Sequence, residues 1–261
     1  VLFRSHPSWP PYVAVTFSQS PPLPVSPSPR MTPRDAIPRR WLDFLTPADT
    51  LGVGMDIATS DGPTSNPASI TVSQLVGGMI YERLVLSWKT RDEAVATAIL
   101  GTILEDIRSL GSRHRLRSIC LDASNERFFC QRLARQFHLH GRFQLIGGGE
   151  NLTFQGQTLR AKEMLGNLYV NAHTDGLLCT PEAPFLKEDR RLVQKSKGLF
   201  VTLTGKGGKH GDTFDSGKLA RWALLSSGAI QAAAIPLTTL GQKRTEATED
   251  DDTFKSDPLN A

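Results

Sequence analysis

Between Leu51 and Trp88 the chain carries three strand-like runs, LGVGMDIA (51–58), PASITVSQ (67–74) and MIYERLVLSW (79–88), separated only by the turn-rich DGPTSN and the Gly77-Gly78 pair. Links this short leave no room for a crossover, so the three strands must run antiparallel as a meander. The pattern then changes. RDEAVATAILGTILEDIRSL (91–110) sets Val95, Ile99, Ile103, Leu104 and Ile107 near helical spacing and stops at Gly111, which predicts an amphipathic helix. LRSICLD (116–122) reads as a short buried strand, SNERFFCQRLARQF (124–137) as a helix capped by Ser124 or Asn125, and FQLI (143–146) as a further strand. A strand–helix–strand succession implies parallel crossovers. Joined to the meander, it predicts an α/β domain with a mixed sheet flanked by helices. Farther on, residues 158–172 and 184–195 read as helical, 177–181 as extended, 198–205 as a strand and about 212–233 as a final helix.

The ends differ from this middle. The first thirty residues are rich in Pro and Ser without a sustained period and predict a disordered or extended lead, taken as residues 1–40. Val1-Leu2-Phe3-Arg4-Ser5 reads as a translated sequencing adapter and the first methionine is Met31, so part of this lead is expected to be non-native. From about Thr238 the apolar period ends. Residues 241–261 hold three basic groups against six acidic ones, and 238–261 is expected to be a mobile acidic tail. One domain, residues 41–237, is left between them.

Composition narrows the function classes. With 39% hydrophobic and 21% charged residues the chain has material for a full core. The net charge of +4 conceals a more basic body in front of the acidic tail, which suits a polyanionic partner without requiring one. Cys120, Cys130 and Cys179 form no CxxC pair, so neither a disulfide framework nor a zinc site is indicated, and a reducing compartment is expected. No apolar run approaches a membrane span.

Three places put acids where strands end or a helix begins. Asp56 lies in the first strand with Gly54 and Ala58 as its period-two neighbours, so its face is lined by small residues with space for an ion or for backbone. Asp122 ends the fourth strand, a position that also suits capping of the next helix. Asp212 and Asp215, in His210-Gly211-Asp212-Thr213-Phe214-Asp215, are three apart at the start of the last helix and share a face, although acids are favoured there by the helix dipole alone. Ahead of them, Thr204-Gly205-Lys206-Gly207-Gly208-Lys209 would expose amides and lysines to phosphate, or serve as a plain surface loop. Gly52-x-Gly54 lacks the third glycine of a dinucleotide fingerprint, and neither a Walker A loop nor a Gly-x-Ser-x-Gly elbow occurs. Glu150, after Gly147-Gly148-Gly149, reads as part of a plain connection.

An acid in the first strand of a three-strand meander, an acid ending the fourth strand and an acid pair opening the last helix is an order that resembles the ribonuclease H-like nucleases. Within that superfamily, GMDIATSDGPTSNPASITV, ICLDASNERFF and GKHGDTFDSGKLARWAL are similar to the C-terminal nuclease domains of phage terminase large subunits, over roughly Trp41 to Ala234. The resemblance implies a ribonuclease H-like mixed sheet. It also implies that Asp56, Asp122, Asp212 and Asp215 bind two Mg²⁺ or Mn²⁺ ions and catalyse phosphodiester hydrolysis. By residue type, Lys206 and Lys209 are expected as DNA contacts and His210 as a phosphate contact or proton donor, or else as a solvated loop residue. Related domains often carry paired acids directly after the histidine, whereas Gly211 stands first here, so which of Asp212 and Asp215 is the main ligand stays open. The partners implied are double-stranded DNA, a terminase small subunit, a portal and an upstream ATPase domain, in the cytoplasm of a bacterial host. A junction resolvase or transposase-like nuclease, and a catalytically silent DNA-binding or partner-binding module, are the alternatives.

Overall fold

A computed structural model describes residues 37–47, 49–58, 65–90, 92–111, 115–205 and 210–225, together with the backbone of Val13–Ser18. In chain order the strands and helices are β1 (Val13–Ser18), β2 (Thr50–Asp56), β3 (Ala68–Val76), β4 (Met79–Lys89), α1 (Glu93–Ser109), β5 (Arg115–Asp122), α2 (Arg127–Gln136) and β6 (Phe143–Ile146). They continue with β7 (Asn151–Phe154), β8 (Gln157–Arg160), α3 (Ala161–Thr174), β9 (Leu178–Cys179), α4 (Pro184–Arg190), β10 (Val193–Ser196), β11 (Leu199–Thr202) and α5 (Asp212–Leu225).

The main sheet runs β1-β4-β3-β2-β5-β6, with β9 also against β4. β3 is antiparallel to β2 and β4, closing the meander, and β5 and β6 follow in parallel beside β2. This is the expected mixed sheet flanked by helices. Alternation along the strands then divides the core into two layers. Leu51, Val53, Met55, Ile70, Val72, Ile119 and Leu121 pack with Ile99, Ile103 and Leu104 of α1 and with Phe129 and Leu133 of α2. The residues between them on the same strands, Gly52, Gly54, Ser69, Thr71, Ser118 and Cys120, belong to the other face.

That other face takes α5, and small residues there let the helix lie close. Ser69 Oγ donates to the Asp212 carbonyl at 2.5 Å, Thr71 Oγ1 lies 2.8 Å from Ser216 Oγ, and Ser118 Oγ donates to the Ala223 carbonyl at 3.0 Å. Leu219, Trp222 and Ala223 then pack against Leu165 and Leu168 of α3, so α5 is enclosed between the sheet and an outer helix. Enclosure explains why nearly every side chain of a helix holding Ser216, Lys218 and Arg221 is buried.

The structure departs from the sequence reading at several boundaries. Residues 158–160 are strand, because Gln155 and Gly156 both have positive φ (50° and 80°) and form the tight turn that a right-twisted β7–β8 hairpin needs. Lys197 and Gly198 do the same for β10–β11, which ends the helix expected over 184–195 at Arg190. α2 starts at Arg127, and its N-cap Glu126 makes no side-chain cap bond. The cap expected at Ser124 or Asn125 is therefore at neither, and Ser124 donates its amide to Asp122 Oδ1 at 2.8 Å and accepts the Gly148 amide on Oγ at 2.8 Å. Val13–Ser18, inside the expected lead, pairs in parallel with β4, and Ile37 enters the core beside Trp41. The expected continuation of the last helix to residue 233 and the tail over 238–261 lie outside the described residues.

Candidate catalytic and metal-binding centre

Register brings the first two acids together. Met55 pairs with Leu121 across the parallel β2–β5 ladder, so Asp56 and Asp122 are the next residues on neighbouring strands. Strands in such a ladder lie about 4.8 Å apart. Because Met55 and Leu121 both face the α1–α2 layer, Asp56 and Asp122 are both on the face that α5 covers. The space that Gly54 leaves beside Asp56 is filled by backbone of α5.

The third acid site arrives with that helix. Gly211 has φ +81°, a left-handed conformation that glycine adopts without strain, and its carbonyl accepts the Phe214 and Asp215 amides at 2.9 and 3.0 Å, starting α5. A Cβ there would stand 2.2 Å from Val193 Cγ2. Glycine in place of a second acid after the histidine therefore has a steric reason. Asp212 is buried, with Oδ2 accepting the His210 amide at 3.2 Å, and Asp215 pairs with Lys218 one turn on.

These groups act on one another. The Asp56 carboxyl is held well above the usual carboxylate range by burial and then by the charges of Asp215, Asp122 and Asp212, with Lys218 working in the opposite direction. Burial also raises Asp215, against the pull of Lys218, and Asp122 adds to the rise. Asp212 is pushed up to about 8 by burial, then by Asp189 and Asp215. For Lys218 burial opposes the charge, but Asp215, Asp122 and Asp56 outweigh it and its pKa is raised. Four carboxyls from three elements thus share one region with a buried ammonium. Exposed Lys162 also acts on Asp215.

Such a surplus of negative charge is offset either by protons or by cations. Carboxylate oxygens are the hard donors that Mg²⁺ and Mn²⁺ take, so the residues fit such ions by chemistry. Among the described residues, however, no three His, Cys, Asp or Glu side chains form a ready ligand set. Asp122 Oδ1 is turned to the Ser124 amide, Asp212 Oδ2 to the His210 amide and Asp215 Oδ1 to Lys218.

Of the other residues singled out, His210 is half-buried beside the acid pair, and Lys206 and Lys209 lie outside the described residues. Glu150 pairs with Arg127 at 2.6 Å, in keeping with a connecting role. The thiols of Cys120 and Cys130 are pushed up to about 12 by burial, which argues against either as a nucleophile. Two residues were missed by sequence reasoning. Lys218 had a signal in its i, i+3 spacing from Asp215; Asp189, which accepts the Thr213 amide at 2.8 Å, had none.

The fold is a mixed α/β sheet flanked by helices. Solved terminase nuclease domains are similar to it in fold. The human cytomegalovirus domain, in a form soaked with Mn and bound to an inhibitor, matches over 70% of this chain and 91% of its own at 12% identity, with a TM-score of 0.43. The nuclease domain of the large terminase subunit of bacterial virus Sf6, a mutant form with manganese and beta-thujaplicinol, matches over 70% of this chain and 97% of its own at 10% identity, with a TM-score of 0.49. The large terminase of a thermophilic bacteriophage is similar over 76% of this chain, which spans 41% of that protein, at 14% identity and a TM-score of 0.42. No family model and no curated protein matches the chain. Among the described residues no helix is long and apolar enough to cross a membrane.

Proposed function

We propose that this chain is a divalent-metal-dependent endodeoxyribonuclease domain, the nuclease part of a phage terminase large subunit, which cuts concatemeric double-stranded DNA in the bacterial cytoplasm. The observation that carries this reading is the juxtaposition of Asp56 and Asp122 at the ends of two adjacent parallel strands, with Ser69, the cross-strand partner of Asp56, hydrogen-bonded to Asp212 at the start of the helix that also carries Asp215. Carboxyls this crowded destabilise one another unless protons or cations offset their charge, and divalent cations are the offset that this reading invokes. The sequence motifs around them support the terminase assignment, and with it a small subunit, a portal and an upstream ATPase domain as partners.

In this reading Asp56 and Asp122 hold the ions from the sheet, and Asp212 and Asp215 hold them from the helix. Two Mg²⁺ or Mn²⁺ ions, when bound, would activate a water on one side of a phosphodiester and stabilise the leaving 3′ oxygen on the other. The chain's own part is to keep these carboxylates fixed on rigid elements, so that little reorganisation accompanies the reaction. Asp56 and Asp212, which hold protons more readily than ordinary aspartates, would have to give them up to bind cations. Lys206, Lys209 and His210, leading into α5, contact phosphates and position duplex DNA without reading its sequence.

The test is plasmid nicking by the wild type and by Asp122→Ala with Mg²⁺, with Mn²⁺ and with EDTA. Cleavage that needs the metal and falls at least about a hundredfold in the variant is expected, the scale on which one transition-state contact is lost. DNA binding by the wild type with no nicking at any Mn²⁺ concentration would favour a silent module. Preferential cutting of four-way junctions over linear duplex would favour a resolvase.

A further inference from the structure

Among the described residues, no side chain just before α5 caps its first turn. Gly211 precedes it without a side chain, and the Asp212 carboxylate is turned back to the His210 amide. A helix start leaves amides that need acceptors, usually supplied by the residue just before it. Here the Phe214 amide turns to the Gly211 carbonyl, and the Gly211 and Thr213 amides are satisfied from another element. Asp189, buried on α4, accepts the Gly211 amide on Oδ1 at 3.0 Å, and on Oδ2 it accepts the Thr213 amide at 2.8 Å and the Thr213 hydroxyl at 2.6 Å.

α4 is itself anchored. Arg190, next to Asp189, donates through Nη2 to Glu82 Oε2 at 2.9 Å and to the Thr213 carbonyl at 3.4 Å. Tyr169 of α3 donates to Glu82 Oε1 at 2.6 Å. The Arg190 and Glu82 side chains are 2% and 0% exposed, so this tie between α4 and β4 is shielded from water and salt. Asp189 therefore grips Gly211 and Thr213, the two residues that flank Asp212, from a platform fixed to the sheet.

We propose that Asp189 is a positioning residue: by capping α5 from α4 it sets the first turn that carries Asp212 and Asp215. The proposal rests on the nuclease reading above. Outer contacts of this kind typically change metal affinity or activity about ten- to a hundredfold when removed, because ligands that wander no longer meet at one point. Asparagine at 189 keeps the shape but can accept on only one of the two oxygen positions.

The experiment compares wild type, Asp189→Asn and Thr213→Val of the full chain. It measures backbone amide exchange at Gly211 and Thr213, Mn²⁺ binding by calorimetry without DNA, and kcat and KM for plasmid nicking. For Asp189→Asn we expect faster exchange at these amides, and Mn²⁺ affinity and kcat that fall together by about ten- to a hundredfold with KM for DNA unchanged. Thr213→Val, which removes one of the three bonds, shifts the same quantities in the same direction by less. An Asp189→Asn protein that melts earlier but binds Mn²⁺ and cuts like wild type overturns the proposal, since its role would be stability alone. If Asp189→Asn does not fold, Thr213→Val decides: unchanged Mn²⁺ affinity and kcat overturn it. Failure of the wild type itself to bind Mn²⁺ or to cut sinks the nuclease reading and this proposal with it. A competent wild type beside an equally competent Asp189→Asn removes only the proposal.

Discussion

Gly54 of β2 and Ser216 of α5 approach so closely that a Cβ on Gly54 would stand 2.2 Å from the Ser216 carbonyl oxygen, and equally close to the Ala220 amide nitrogen. Both obstacles are backbone of a helix wedged between sheet and α3, so neither has a side-chain rotamer to give way. The closeness of helix to sheet at this point is what brings the first turn of α5 to Asp56.

Gly54→Ala should therefore act on both stability and site. Overpacking of a dense core costs about 1–3 kcal/mol, and this contact belongs at the upper end or beyond, because backbone must move. Urea unfolding followed by circular dichroism should show a lower midpoint, with Mn²⁺ affinity reduced in the fraction still folded. Gly149→Ala, where a Cβ meets nothing within 4 Å, is the control and should unfold like wild type. Equal midpoints for the two variants would refute the close packing described.

The raised carboxyls predict a pH dependence with a definite sign. A carboxyl that holds its proton more tightly in the folded than in the unfolded state stabilises the fold fully below its ordinary pKa, and that contribution is lost as pH rises through the folded value. For Asp212 the window runs from 3.8 to about 8, and Asp56 and Asp215 shift in the same direction. In EDTA these groups should make the melting temperature fall as pH climbs from 5 to 8, and Asp212→Asn should flatten that decline. Mn²⁺ should restore stability most at the alkaline end, with proton release visible as a buffer-dependent binding enthalpy. A decline just as steep in Asp212→Asn would remove Asp212 from this account.

Lys218 supplies the positive charge inside the cluster, so its removal should have opposite effects on two measurements. Lys218→Gln leaves Asp215 without its ion-pair partner, and a buried group so stranded costs about 1–3 kcal/mol, discounted here because the Asp215 side chain is 28% exposed. The metal-free protein should melt earlier. With a repelling charge gone, Mn²⁺ should bind more tightly, on the order of tenfold. Weaker Mn²⁺ binding in a folded variant would mean that Lys218 supports the ions instead of competing with them.

How far the residues themselves reach can be followed through particular elements. The meander, α1 and the β5–α2–β6 unit were legible because burial imposes a period of two or of 3.6 on their apolar residues, and Asp56, Asp122, Asp212 and Asp215 stood out because each sits where such a period starts or stops. The β7–β8 and β10–β11 hairpins were hidden, since four-residue strands with exposed faces carry no period to read and depend on positive φ at Gln155 and Lys197. Glycine at 52 and 54 was visible as small. That the space beside Asp56 would be taken by helix backbone was decided only in three dimensions.

The same division holds at the site. Sequence alone determined which acids were candidates and that the last helix begins among them, because both follow from local patterning. Tertiary structure decided that Asp56 and Asp122 end neighbouring strands, that Lys218 is buried against Asp215 and that Asp189 caps a helix 22 residues away. These relationships arise from strand register and helix packing, which bring distant residues into contact through a chain that carries no local record of the meeting.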